Sequence, residues 1–183
     1  MSYIVKPAAP HHIPALSEIE RAAATLFTTE DLPELLRNEV IAAQRFEDAQ
    51  RDDRLWVAVD SADQPVGFLL ADVVDDTLHI AEMAVHPEHA RRGLGATLLQ
   101  HMLLVAEHHG HHAVTLTTFS HVAWNAPFYQ RQGFVVLGDD ECGPELRALL
   151  KQEGARGLSH RVAMRRQVRR AERTTHWAER GNS

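Results

Sequence analysis

The segment Val85-His86-Pro87-Glu88-His89-Ala90-Arg91-Arg92-Gly93-Leu94-Gly95-Ala96 constrains this chain more than any other stretch. It joins a strand-like run to a long helix-like run. Its two glycines let the backbone curl without Cβ clashes, so that successive N–H groups converge on one point. A helix opening there adds unsatisfied N–H donors and a positive dipole end. Together these features make a cradle for a pyrophosphate, to which Arg91 and Arg92 add mobile positive charge. No Lys-Ser/Thr follows the second glycine, so this is not a P-loop, and the three-glycine dinucleotide fingerprint is absent too. A Gly-x-Gly turn alone is also a common tight strand–helix connection, so its surroundings must decide.

Periodicity supplies those surroundings. Short strands are predicted at residues 3–5, 55–59, 66–74, 78–85, 113–119, 134–137 and 160–164, bounded by turn signals such as residues 61–65 and Asp75-Asp76. Helical spacing places Ile13, Leu16, Ile19 and Ala23 on one stripe of residues 12–26. Thr29-Glu30-Asp31 offers N-caps for a second helix, with Pro33 in its first turn and Leu36, Val40 and Ala43 inward. Leu94, Leu98, Met102 and Val105 mark a long helix to about His109. Shorter helices are predicted at 125–132, closed by Gly133, and at 144–153. The order is β-α-α-β-β-β-α-β-α-β-α-β, a mixed sheet in one α/β domain.

Composition narrows the function classes. The chain of 183 residues is 44% hydrophobic and 24% charged, which is globular. No apolar run approaches the roughly 20 residues of a membrane helix, and the N-terminus lacks the pattern of a secretory signal. The single cysteine, Cys142, cannot form an internal disulfide; a cytoplasmic setting without membrane association is expected. The net charge of −6 is uneven: seven arginines from Arg161 onward face only Glu172 and Glu179, leaving an acidic body. Such a body argues against nucleic-acid binding. The Arg-rich tail, residues 169–183, has little apolar periodicity and is expected to be partly disordered, with the domain proper at 1–168.

With these elements in order, the chain resembles the GNAT superfamily of acetyl-CoA-dependent N-acyltransferases over about residues 3–165. Ala90-Arg91-Arg92-Gly93-Leu94-Gly95 is similar to that family's acyl-CoA loop, Gln/Arg-x-x-Gly-x-Gly/Ala, with Ala90 departing at the first position. That departure costs a polar side chain but no backbone donor. Phe128-Tyr129-Gln130-Arg131-Gln132-Gly133-Phe134 matches a second signature, an aromatic-Tyr pair ahead of Gly-Phe. The family's frequent Asn six residues before that Phe is replaced by Val122; Asn125 lies nearer and also reads as a helix N-cap. The resemblance implies a mostly antiparallel sheet flanked by helices and splayed where acyl-CoA enters. Met83, Ala84 and Val85 would line that splay, with N–H groups at Met83 and Val85 holding the thioester carbonyl and pantetheine arm. The loop residues Ala90 to Ala96, with Asn125 and Phe128, would complete the acetyl-CoA site. A homodimer is a family analogy.

Acetylating an amine requires proton traffic. An alkylammonium with pKa ~10.4 is almost wholly protonated near neutrality, so a base must accept a proton, and an acid near sulfur helps the thiolate leave. His79 and Glu82 are the titratable groups on the third sheet-centre strand, and the resemblance favours His79, with Glu82 second. Three apart, they point to opposite faces unless a bulge intervenes. Tyr129 matches the family's general acid. Trp124, just upstream, is expected in core or rim packing, with a place lining the wedge as the alternative.

Glu18, Glu20, Glu30, Asp31, Glu34, Asp139, Asp140 and Glu141 fall where the family's acceptor walls lie, which suits a cationic amine. A primary amine on a small molecule is favoured, with a peptide Nα-amine or lysine open. Histidine pairs at His11-His12, His108-His109 and His111-His112, with His101 nearby, lack the spacing of a metal motif, so no metal is expected. Cys142 lies outside both motifs, which points to direct transfer rather than a covalent acyl-enzyme. Two other classes stay in view: a non-catalytic acyl-CoA-binding module, and a DNA-associated protein using the arginine tail.

Overall fold

The computed structural model describes residues 2–168; the expectation of a disordered tail lies outside them. Seven strands form one sheet in the order β1-β2-β3-β4-β5-β7-β6. They are β1 (Ile4–Pro7), β2 (Leu55–Val59), β3 (Pro65–Val74), β4 (Thr77–Val85), β5 (Ala113–Phe119), β6 (Val135–Val136) and β7 (Arg161–Gln167). Every neighbouring pair is antiparallel except β4–β5. A parallel pair needs a long crossover, and the helix α4 (Leu94–His108) supplies it.

Both faces of the sheet are covered, which is why β2 is buried at all five positions instead of alternating. Trp56 and Ala58 join Leu98, Leu99 and Met102 of α4 in one core. Leu55, Val57 and Val59 pack on the other side against Leu16 and Ile19 of α1 (Ile13–Ala24) and Phe46 of α3 (Ala43–Arg51). The helix α6 (Pro144–Ala155) lies over β7. The Asp75 carboxylate, from the β3–β4 turn, accepts the Glu145 and Leu146 N–H groups, each at 3.0 Å, and so caps α6 from another element. Gly143 is required there, since a Cβ would sit 2.3 Å from that carboxylate.

Two irregularities shape the site. Leu70 of β3 pairs with Glu82, but Ala71 pairs with Ile80, so Ala81 is an extra residue in β4. This bulge resets the alternation. Leu78, Ile80, Met83 and Val85 pack toward α4, while Ala81 and Ala84 face α1 and α3. His79 and Glu82, three apart, therefore share the α1 face. The second irregularity is between β4 and β5, which pair only from Leu78–Ile80 to Val114–Leu116. Beyond that point β4 stays with β3 and β5 with β7, and the sheet opens.

The predicted second helix is corrected. Thr28 and Asp31 instead close a local turn, with the Thr28 hydroxyl donating to the Asp31 carboxylate at 2.7 Å and the Leu32 N–H to the Thr28 carbonyl at 3.0 Å. Such side-chain bonds compete with helix formation. Only the four-residue α2 (Glu34–Arg37) forms, with Pro33 at its N-cap. Val40 falls in the following loop, and Ala43 is exposed at the start of α3. That helix was missed in the sequence because it is mostly polar, with only Phe46 and Ala49 inward. Among the described residues no helix is long and apolar enough to cross a membrane.

Candidate active site

The glycine turn forms as the sequence suggests, through backbone conformation. Arg91 and Gly93 both adopt left-handed φ, 58° and 78°. Gly93 is the N-cap of α4, with no side-chain cap, so the first N–H groups of that helix are left for another acceptor. Nothing lies within 4 Å of where a Gly93 Cβ would be, so this position needs the φ rather than the space. Gly95 faces Met83 Cε and Phe128 Cζ, which a Cβ there would meet at ordinary contact distance, 3.7 Å each. Here the turn, β4 and the helix α5 (Ala126–Arg131) converge.

A continuous cleft of about 1860 Å³ runs from this turn through the sheet opening to α1, α3 and α6. Met83, Ala84, Val85, Ala90, Arg91, Gly93, Leu94, Gly95, Ala96, Asn125, Phe128 and Tyr129 all line it, as do His79 and Glu82. Arg92 does not. Its guanidinium donates to the Tyr3 hydroxyl at 2.5 Å and to the Glu88 carbonyl at 3.2 Å, on the outside of the turn. Asn125 occupies the N-cap position of α5 but makes no side-chain cap; its carbonyl accepts from Phe128 and Tyr129 instead. The His86 N–H donates to Val66 on β3 at 2.9 Å. By the two-residue period of a strand, the Met83 and Val85 N–H groups then point away from β3, toward the opening.

The titratable groups of the cleft are tuned in different directions. Burial pushes the Glu82 carboxyl up to about 7, reinforced by the nearby Glu20 carboxylate and opposed by Arg161. His79 is 2% exposed, and burial lowers its imidazole to about 4, so it is neutral near pH 7. Its Nδ1 lies 2.9 Å from the Thr115 hydroxyl. Burial, and then the Glu82 charge, raise the Tyr129 phenol well above its ordinary range, so its hydroxyl stays protonated.

The end beyond Glu82 is assembled from distant segments. Of the expected acidic residues only Glu20 lines the cleft; Glu18, Glu30, Asp31, Glu34, Asp139, Asp140 and Glu141 do not. Phe27, from the end of α1, packs against Phe119 and Trp124 at centroid distances of 5.5 and 4.6 Å. Trp124 is 46% exposed at the rim. Arg161 stacks on Phe119 at 4.6 Å, donates to Glu153 at 2.9 Å, and reaches Thr117. Glu20 and Trp124 were named from the sequence, whereas Phe27, Thr117, Phe119, Glu153 and the contact role of Arg161 sit in no local motif and had no signal there.

Cys142 is buried beside Leu137 and Leu146 and is not among the lining residues. His11, His12 and Asp63 do gather, with one ligand atom of each within 4.8 Å of the others. However, the Ala9 N–H donates to His12 Nδ1 at 2.9 Å, which keeps the ring proton on Nε2, the atom facing Asp63. That nitrogen carries the ring proton and faces Asp63 at 3.4 Å without a hydrogen-bond partner, so it has no lone pair to offer a metal. With Lys6 also paired to Asp63, the cluster is an ion-pair knot outside the cleft.

The chain is similar to known N-acetyltransferases. The peptidyl-lysine N-acetyltransferase YjaB of Salmonella typhimurium is 31% identical over 87 residues, covering 48% of this chain and 54% of that protein. The chain thus spans about half the length of the curated relatives it matches. Among solved structures, N-acetylglutamate synthase of Neisseria gonorrhoeae with coenzyme A and N-acetyl-glutamate superposes with a TM-score of 0.70 at 16% identity, over 93% of this chain and 36% of that one. PaiA N-acetyltransferase of Thermoplasma acidophilum with coenzyme A gives 0.67 at 15%, over 91% and 99%. At such identities the likeness is one of fold. A family model covers residues 14–134, from the first turn of α1 to the Gly-Phe that follows α5, and on that match the chain belongs to the acetyltransferase (GNAT) family.

Proposed function

We propose that this chain transfers an acetyl group from acetyl-CoA to a primary amine, with a small-molecule acceptor favoured, by direct attack in a ternary complex. One observation carries the reading: the bulge at Ala81 turns Glu82, with its carboxyl near 7, into the opening where the Met83 and Val85 N–H groups also point. The coenzyme A held by two structural neighbours supports the co-substrate.

Acetyl-CoA brings an acyl group whose C–S bond breaks as the C–N bond forms. The free N–H groups at the start of α4, with Arg91, suit its pyrophosphate. The N–H groups of Met83 and Val85 suit the thioester carbonyl and the pantetheine amides. Glu82 accepts the proton from the attacking nitrogen, which grows acidic as the new bond forms. Tyr129, protonated at every working pH, presents its hydroxyl to the departing sulfur. This order of roles inverts the sequence expectation: His79, neutral and buried, supports the floor beside Thr115, and Glu82 is the base.

The name of the relative matched over 87 residues favours a second reading, a peptidyl-lysine acceptor. Thiol release from acetyl-CoA at about pH 8, over small amines and a lysine peptide, tests both. Turnover that collapses in Glu82→Gln and Tyr129→Phe is the expected result. Coenzyme A binding without turnover on any amine would leave a non-catalytic binding module.

A further inference from the structure

The walls of the cleft beyond Glu82 carry a charge balance that restricts the acceptor, given the acetyl-transfer reading above. Five arginines line the cleft: Arg91 belongs to the glycine turn and Arg131 to α5, and the three from α3, the end of α6 and β7 are each committed. Arg45 pairs with Asp72 at 2.7 Å, Arg161 with Glu153 at 2.9 Å, and Arg156 with Glu39. Glu20 and Glu82 form no close ion pair, although Arg45 acts on both and Arg161 on Glu82 from further away. One Glu20 oxygen accepts the Ile41 N–H at 2.8 Å, which leaves the other for a ligand. An acceptor carboxylate would therefore find no uncommitted arginine on these walls. An ammonium would meet two carboxylates that repel one another, and one positive charge relieves both.

The outer part of the same half is apolar and held in place. Phe27, Phe119 and Trp124 form a continuous aromatic wall, with Leu32 and Leu36 beside them on the cleft. Phe27 is fixed through its carbonyl, which accepts from Arg37 Nη2 at 2.7 Å. The loop that carries it is tied to the end of β5 by His121 and Asp31 at 2.6 Å. Trp124 is 46% exposed, so the outer face of this wall is open along the cleft rim. Because the wall is braced before any ligand arrives, little ordering is needed on binding.

We propose that the acceptor is a small monoamine with an aromatic or similarly ring-sized apolar body and no carboxylate, its ammonium between Glu20 and Glu82 and its body against Phe27, Phe119 and Trp124.

The test measures kcat/KM by thiol release for 2-phenylethylamine, butylamine, phenylalanine, 1,4-diaminobutane and a lysine peptide. The aromatic amine is expected to lead each of the others by at least ~10-fold, mainly through KM. Trp124→Ala, a rim substitution whose folding is checked by an unchanged thermal midpoint, is expected to bring 2-phenylethylamine to within ~3-fold of butylamine. Equal or better turnover of phenylalanine, diaminobutane or the peptide would overturn the inference and leave acetyl transfer standing. So would a preference for the aromatic amine that Trp124→Ala does not change. Absence of thiol release from all five would overturn both.

Discussion

The two halves of the cleft are built in opposite ways. The half around the glycine turn comes from two short runs, residues 83–96 and 125–134, whose local conformation suffices: left-handed Arg91 and Gly93, an uncapped α4, a short α5. The half beyond Glu82 draws Glu20 and Phe27 from α1 and its end, Arg45 from α3, Phe119 from β5, Glu153 from α6 and Arg161 from β7. Backbone donors can be specified by a few adjacent residues. A side-chain pocket needs the whole sheet to exist first. The common co-substrate half can thus stay constant while the acceptor half is redrawn by distant substitutions.

The strongest way to break this comparison is Glu82→Gln, which removes the one group that belongs to both halves. A fall in kcat of about 1000-fold is expected, within the span of general-base effects. With its carboxyl near 7, wild-type kcat/KM should rise with pH through about 7, and the variant should lose that limb. A limb that persists in Glu82→Gln would assign the base elsewhere.

His79 tests whether the shared floor is catalytic or structural. Its folded pKa of about 4 lies below the ordinary 6.5, so the unfolded chain binds the proton more tightly. His79 therefore imposes no penalty above about pH 6.5, and stability falls as pH drops from there toward 4, by an order of 3 kcal/mol in total. Glu82 acts oppositely: its folded pKa is raised, so its contribution is largest below 4.5 and fades as pH rises through 7. His79→Gln should consequently lose less stability than wild type on acidification over that window, read by denaturant titration at several pH values. An identical acid dependence in the two proteins would contradict a buried neutral imidazole.

Tyr129→Phe should cost about 30-fold in kcat, or ~2 kcal/mol. Because the phenol stays protonated, the loss should be uniform across pH, unlike that of Glu82→Gln. The smallest effect is expected from Gly93→Ala, where only the left-handed φ is at stake and no neighbour is crowded. It should lower stability by about 1 kcal/mol, seen as a lower thermal midpoint, and raise KM for acetyl-CoA more than KM for the amine. A larger acceptor effect would show that the two halves are mechanically coupled.

Much of the fold was legible because its strands and longer helices follow simple periods. The predicted strand at 113–119 coincides with what forms, and the long helix expected from the glycine turn to about His109 forms as Leu94–His108. The failures cluster between α1 and β2. There Thr28 and Asp31 satisfy each other locally, and α3 shows only two inward residues, so neither signal reaches helical contrast. The acidic mouth failed for a related reason. Sequence proximity to a wall says nothing about which face a carboxylate takes, and seven of the eight expected residues turn elsewhere.

By itself the sequence determined the family-specific cradle, the Tyr129 helix and the acidic character of the body. These depend on neighbours within a turn or two along the chain, or on summed charge. Only the tertiary structure supplies the placement of Glu82 on which its proposed role as base rests. The extra residue at Ala81 is invisible in a run such as Thr77–Val85, because it exists only as a mismatch with β3. That one mismatch brings Glu82 onto the face it shares with His79, while burial disarms His79 and raises Glu82 toward neutrality. Desolvation is a property of the assembled sheet and its covering helices, and no single strand encodes it.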